Sequence, residues 1–157
     1  MLNKINNELI NQVLEKAENS PRKRAVHCFS KPEDKIQRMI NAGLKDTYVR
    51  PHKHENPDKL EIFLILKGKA AVLIFDDDGK ITDSVILDEN NQIVEIPSKK
   101  WHSFIILSEK AALYEIIGGP YDPETHKRFA PWAPEEDTEE SIIYLQNKIN
   151  YINKLFY

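Results

Sequence analysis

The sequence is short of the residues on which several common chemistries depend. Among its 157 residues there is one cysteine, Cys28, so no intramolecular disulfide and no thiolate zinc cluster can form. A reducing, cytoplasmic setting is the simplest expectation. The five glycines, at 43, 68, 79, 118 and 119, supply neither a phosphate-binding loop nor a dinucleotide fingerprint. P-loop nucleotide hydrolysis and nicotinamide chemistry on a Rossmann fold therefore drop out. No apolar run approaches the ~18 residues of a membrane span, and the polar opening MLNKINNELINQVLEKAENSP lacks the apolar core and small-residue cleavage site of a secretory signal. Basic residues are in the minority, 22 Lys and Arg against 25 Asp and Glu. With no basic stripe interleaved with aromatics, nucleic acid is not the expected partner.

What is present has three textures. Ile5, Leu9, Ile10, Val13, Leu14 and Ala17 follow helical spacing until Asn19-Ser20-Pro21, which predicts an opening helix within residues 1–20. From 24 to 117 short β-rich runs recur: AVHCF, KIQRMI, TYVRPH, LEIFLIL, AAVLIF, SVILD, QIVEIP, WHSFIIL and ALYEII. Turn signals such as Asp78-Gly79 separate them, and no alternation with helices occurs, so an antiparallel sandwich or barrel is expected. Residues 118–136 form a Pro-rich strap, expected to lie on the barrel because it carries Tyr121, Phe129 and Trp132 for burial. Residues 137–157 predict a closing helix, starting at Asp137 with Glu140 three residues on. Its stripe is Ile142, Leu145, Ile149, Ile152 and Phe156, which docks on its own barrel or forms a homodimer seam. The whole chain reads as one domain.

The chemistry concentrates in Tyr48-Val49-Arg50-Pro51-His52-Lys53-His54, followed by Glu61 and then Gly68. Side chains alternate along a strand, so His52 and His54 share a face and can reach one ion. Glu61 opens an apolar run, where a lone buried carboxylate is costly unless paired or metal-bound. A second segment, Pro97-Ser98-Lys99-Lys100-Trp101-His102, again sets a His at the head of an apolar strand. A single His in a β-run is ordinarily just hydrogen-bonded, but these residues together make a nitrogen and oxygen site suited to divalent Zn, Fe, Mn, Ni or Cu. The other candidates are weaker. Asp76, Asp78 and Lys80 read as a hairpin turn and not a calcium loop, because Lys80 cannot ligate. His27 and His126 lie outside the pattern, and Cys28 reads as a small buried hydrophobe.

The pattern His52-x-His54, Glu61, Gly68 resembles the first motif of the cupin superfamily, and Pro97 to His102 resembles its second. That resemblance implies an all-β double-stranded β-helix, a jelly-roll barrel, with His52, His54, Glu61 and His102 holding a divalent metal inside it. The loop from His54 to Glu61 is longer than the family's usual one, and Lys99 stands where the second motif usually has Gly. Over residues 22–136, Ile36-Gln37-Arg38-Met39, Val94-Glu95-Ile96-Pro97, Trp101-His102-Ser103, Gly119-Pro120-Tyr121 and Phe129-Ala130-Pro131-Trp132-Ala133-Pro134-Glu135 resemble the WbuC-type cupin family. Its members are associated with bacterial O-antigen and surface polysaccharide synthesis.

The same parity rule extends to the pocket lining. Tyr48 and Arg50 are expected to face inward with His52 and His54, where Arg50 could hold a substrate carboxylate or phosphate, or pair with Glu115 or Glu61. Gln37 and Arg38 face opposite sides of their strand; Arg38 is a third substrate-contact candidate if its side is the inner one. Glu115, in the run LYEII, is the candidate proton-transfer base. The resulting expectation is a metal-dependent isomerase or epimerase acting on a small sugar or nucleotide-sugar. A non-catalytic sugar- or anion-binding cupin and an Fe(II) dioxygenase are the alternatives.

Overall fold

A computed structural model describes residues 2–156; the expected helical end at Tyr157 lies outside the described residues. Helix α1 spans Asn7–Glu18. Asn6 caps it by accepting a 3.0 Å hydrogen bond from the Leu9 amide, and it turns Ile10, Val13, Leu14 and Ala17 inward. Ile5, counted in the expected stripe, precedes the helix and is exposed.

The strands are β1 (Arg24–Cys28), β2 (Ile36–Leu44), β3 (His52–Lys53), β4 (Glu61–Lys67), β5 (Ala70–Phe75), β6 (Ile81–Leu87), β7 (Ile93–Ile96), β8 (Trp101–Ile106), β9 (Lys110–Gly118) and β10 (Arg128–Phe129). They form two five-stranded sheets of antiparallel pairs, ordered β1-β2-β9-β4-β7 and β10-β3-β8-β5-β6. This is the jelly-roll arrangement of two facing antiparallel sheets. Strand alternation sorts the apolar residues into layers. Phe63, Ile65, Val72, Ile96, Ile106 and Leu113 fill the interior between the sheets. Ile40, Ala42 and Ala112, on the outer face of the first sheet, receive α1. Leu73, Phe75, Trp101 and Ile105, on the outer face of the second, receive helix α2 (Glu139–Phe156) through Leu145, Ile149 and Ile152.

Two features of the closing helix differ from expectation. Its N-cap is Thr138, whose Oγ1 accepts from the Ser141 amide at 3.2 Å, because Asp137 sits at φ 62, outside helical space. Ile142 is 69% exposed, and Ser141 takes the inward position one residue earlier. Cys28 is also exposed, not buried: β1 is an edge strand, so one of its flanks has no neighbour to cover it. No helix among the described residues is long and apolar enough to cross a membrane.

Turns need special backbone in two places that matter for the site. Gly68, at φ 79, closes the β4–β5 hairpin where an added Cβ would stand 2.3 Å from the Lys110 carbonyl oxygen. Lys99 has φ 65, so the position where the cupin motif usually has glycine keeps the glycine-type backbone while carrying a lysine.

Candidate metal centre

His52 on β3 pairs directly with His102 on β8, which faces inward from the second sheet. His54 follows on the same side, and Glu61 opens β4 in the opposite sheet. All four are at most 3% exposed, and one ligand-type atom from each lies within 4.8 Å of the others.

The imidazoles are oriented by the main chain. Nδ1 of His52 donates to the Arg50 carbonyl at 2.9 Å, Nδ1 of His54 to the His126 carbonyl at 2.6 Å, and Nδ1 of His102 to the Lys100 carbonyl at 2.8 Å. A neutral ring that donates through Nδ1 carries its lone pair on Nε2, so the three rings turn lone pairs inward. His102 Nε2 stands 2.8 Å and His54 Nε2 3.5 Å from Glu61 Oε2, and none of these three buried atoms has a hydrogen-bond partner. Burial alone would raise the Glu61 carboxyl; protonated His102 and His54 rings would hold it well below the usual carboxylate range, and with neutral rings only a cation can take that part. An anion and converging nitrogen lone pairs, orphaned in a dry interior, leave a place that a cation satisfies. The residues therefore fit a divalent metal bound by nitrogen and oxygen.

Other groups crowd the site. Glu115, buried on β9, has its carboxyl pushed well above the usual range by burial and then by the Glu61 charge. Asn41 Nδ2 donates to Glu115 Oε2 at 2.6 Å, which leaves Oε1 as the free oxygen of that carboxyl. Burial, reinforced by Lys127 and the neighbouring rings, holds His52 well below the ordinary imidazole value. His126 packs against His54 and Tyr121 with centroids at 5.0 and 4.8 Å; burial and then Lys127 lower it to about 3. Lys59, in the long loop between His54 and Glu61, is buried and donates to the Pro120 carbonyl at 2.8 Å, tying that loop to the strap.

The structure brings together His52, His54, Glu61, His102 and Glu115, turns Tyr48 and Arg38 to outer faces, and leaves Arg50 at the Phe129 ring beside His52. Thr47 to Pro51 is not strand, so parity does not carry back from His52. Tyr48 packs edge-on against Tyr144 of α2 and donates to the Pro134 carbonyl at 2.9 Å, on the outer side of the second sheet. Arg50 lies over the Phe129 ring at 5.2 Å, and its ionic neighbour is Glu135 at 3.9 Å, not Glu115 or Glu61. Gln37 is the inward residue of its pair, because it sits opposite Ile117 and Glu61 lies beyond; Arg38 shares the outer side with Ile40. Tyr121 and Phe129, expected to be buried, are partly exposed, Tyr121 against His126 and Phe129 against His52. Sequence reasoning set His126 aside and left out Asn41 and Lys127. The available signal was the strap itself, a Pro-rich segment that sets His126 and Lys127 between Tyr121 and Phe129.

Residues 5–87, just over half of the chain, match the family described as a domain of unknown function (DUF6016). The chain belongs to that family. No curated protein matches this DUF6016 chain. Among solved structures it is similar to the capsular polysaccharide assembling protein CapF from Staphylococcus aureus, at 20% identity and a TM-score of 0.59, covering 70% of this chain and 32% of that one. It is also similar to a chain in the crystal structures of the DMSP lyases RdDddP and RnDddQII, at 12% identity and TM-score 0.53, covering 68% and 52%. Procruciferin, an 11S globulin from Brassica napus, matches at 13% identity and TM-score 0.53, covering 69% and 27%. The DUF6016 chain thus spans about a third of the length of the CapF chain, and at these identities the likeness is one of fold.

Proposed function

We propose that this chain is a metal-dependent cupin that isomerises or epimerises a sugar or nucleotide-sugar intermediate of surface polysaccharide synthesis, with His52, His54, Glu61 and His102 as the ligands. The observation that carries it is the buried set of Nε2 lone pairs converging on the Glu61 carboxylate. Support for the substrate comes from the motif resemblance to WbuC-type cupins and from the fold shared with a protein described as assembling capsular polysaccharide. A bound divalent ion supplies Lewis-acid polarisation of a carbonyl oxygen. The chain supplies the rest. Glu115 is the proton-transfer group inside the barrel, and Asn41 fixes its carboxyl through Oε2. As its carboxylate, Glu115 takes the proton from the carbon beside the polarised carbonyl, and as the acid so formed it returns a proton to the sugar.

The test is proton exchange in D2O with a panel of nucleotide-sugars, followed by NMR on metal-loaded protein. Deuterium should enter at the carbon beside the carbonyl, and His52→Ala should lose both bound metal and exchange. Full-rate exchange by metal-free protein sinks the proposal. Turnover that stops only when dioxygen is removed would favour oxygenase chemistry at the same ligands.

A further inference from the structure

The guanidinium of Arg50 stands beside the ligand cluster with a buried donor unused. Two contacts tie this residue to the site. Its carbonyl accepts from Nδ1 of His52 at 2.9 Å, and its guanidinium lies over the Phe129 ring at 5.2 Å. Phe129 pairs with His52 in the β10–β3 register, and paired residues share a face, so its ring meets the His52 imidazole edge-on with centroids 6.4 Å apart. His52 is 3% exposed and Phe129 46%, which sets Phe129, with Arg50 against it, on the solvent side of that ligand. A ring face attracts the cation but offers no oxygen to its N–H donors. Nε of Arg50 is buried without a hydrogen-bond partner, and the side chain as a whole is 19% exposed. Its ionic neighbour among the described residues, Glu135, is 3.9 Å away, beyond hydrogen-bond reach, and 80% exposed, so that pair is weak. A cation so far withdrawn from water, with so little opposite it, is costly until an anion joins it.

We infer that Arg50, backed by Phe129, is an oxyanion subsite at the edge of the metal centre, so that the sugar handled there carries a carboxylate or a phosphate. This deepens the function proposed above and rests on it. A planar guanidinium receives two oxygens of either group side by side, which a point charge does not. Phe129 adjoins both the guanidinium and His52, so a sugar held at Arg50 through its anion lies across an apolar ring with its other end toward the ligands.

The experiment is calorimetric titration of the full, metal-loaded chain with glucose, glucuronate and glucose 1-phosphate at low salt, with metal content measured on the same samples. Both acids, or one of them, should bind about tenfold or more tightly than glucose. Arg50→Gln, which leaves the main-chain carbonyl in place, should remove that advantage without changing metal content. Arg50→Lys, which keeps the charge and loses the fork, should keep only part of it. Preference for glucuronate alone identifies a carboxylate; preference for glucose 1-phosphate alone identifies a phosphate. Equal binding of the three sugars, undetectable binding of both acids, or an undiminished acid preference in Arg50→Gln overturns the inference, the last because the metal alone would then hold the anion. Should Arg50→Gln not fold, Arg50→Lys decides, and an acid preference equal to that of the wild type overturns the inference. Failure of the wild-type chain to hold metal overturns the parent reading separately, since the acid preference is still read on the metal-free chain.

Discussion

Lys99 is where a single residue works against its own backbone. An L-residue in the left-handed region costs about 1–2 kcal/mol relative to a right-handed conformation, and its exposed pair with Asp58, at 3.1 Å, returns little of that. Lys99→Gly should therefore stabilise the protein by about 0.5–1 kcal/mol after the glycine's entropy loss, read as a higher urea midpoint; Lys99→Ala, which keeps the strained φ, should show no gain. The Lys99 amide also donates to the His54 carbonyl at 3.3 Å, so this turn abuts the ligand cluster. At this scale the site was largely legible. His-x-His and a Glu at the head of an apolar run are local patterns, and ligand geometry acts through local spacing. Tyr48 turns outward because parity holds only within a strand, and Pro51, which has no amide to donate, ends the ladder just before His52.

At the scale of elements, periodicity identified both helices and most strands, since burial of one face imposes a period of 3.6 or 2. It could not say which side of β2 faces in, because alternation gives parity without polarity and both Gln37 and Arg38 are polar. Nor could it orient the strap, because an irregular segment has no period, and only its two-residue bridge to β3 fixes Arg128 and Phe129. The closing helix offers a direct contrast. Ile152 is fully buried against the outer face of the second sheet, whereas Ile142 stands in solvent. Ile152→Ala should cost about 2–5 kcal/mol, and Ile142→Ala should fall within about 0.5 kcal/mol of wild type. Urea unfolding of the two variants checks both, and equal losses would mean that Ile142 is covered in solution by another surface.

For the whole molecule, the site ties stability to pH in two opposed ways when metal is absent. His52 and His126 titrate lower in the fold than in the unfolded chain, whose imidazoles sit at about 6.5. Their contribution is therefore present above that value and is lost as pH falls toward the folded value, about 3 for His126. Glu115 is raised, so its contribution is present at low pH and is lost as pH rises from the unfolded carboxylate range through its folded value. Glu115→Gln keeps an oxygen for Asn41 but cannot ionise. Its stability relative to wild type, from urea midpoints of metal-free protein at pH 5, 6.5 and 8, should grow with pH; a constant difference would mean that Glu115 does not titrate in that window. An antiparallel sandwich or barrel was legible from strand recurrence, and its jelly-roll form from the motif resemblance, but the meeting of residues 41, 115 and 126 at one place depends on sheet order, which no local pattern carries.

The three carbonyls that hold the ligand rings belong to Arg50, Lys100 and His126. Since the anchoring atoms are main-chain, replacing those side chains leaves the imidazoles in their orientation. The orientation of the rings is thus independent of which side chains stand at 50, 100 and 126, so these positions can be rewritten by mutation without turning the imidazoles.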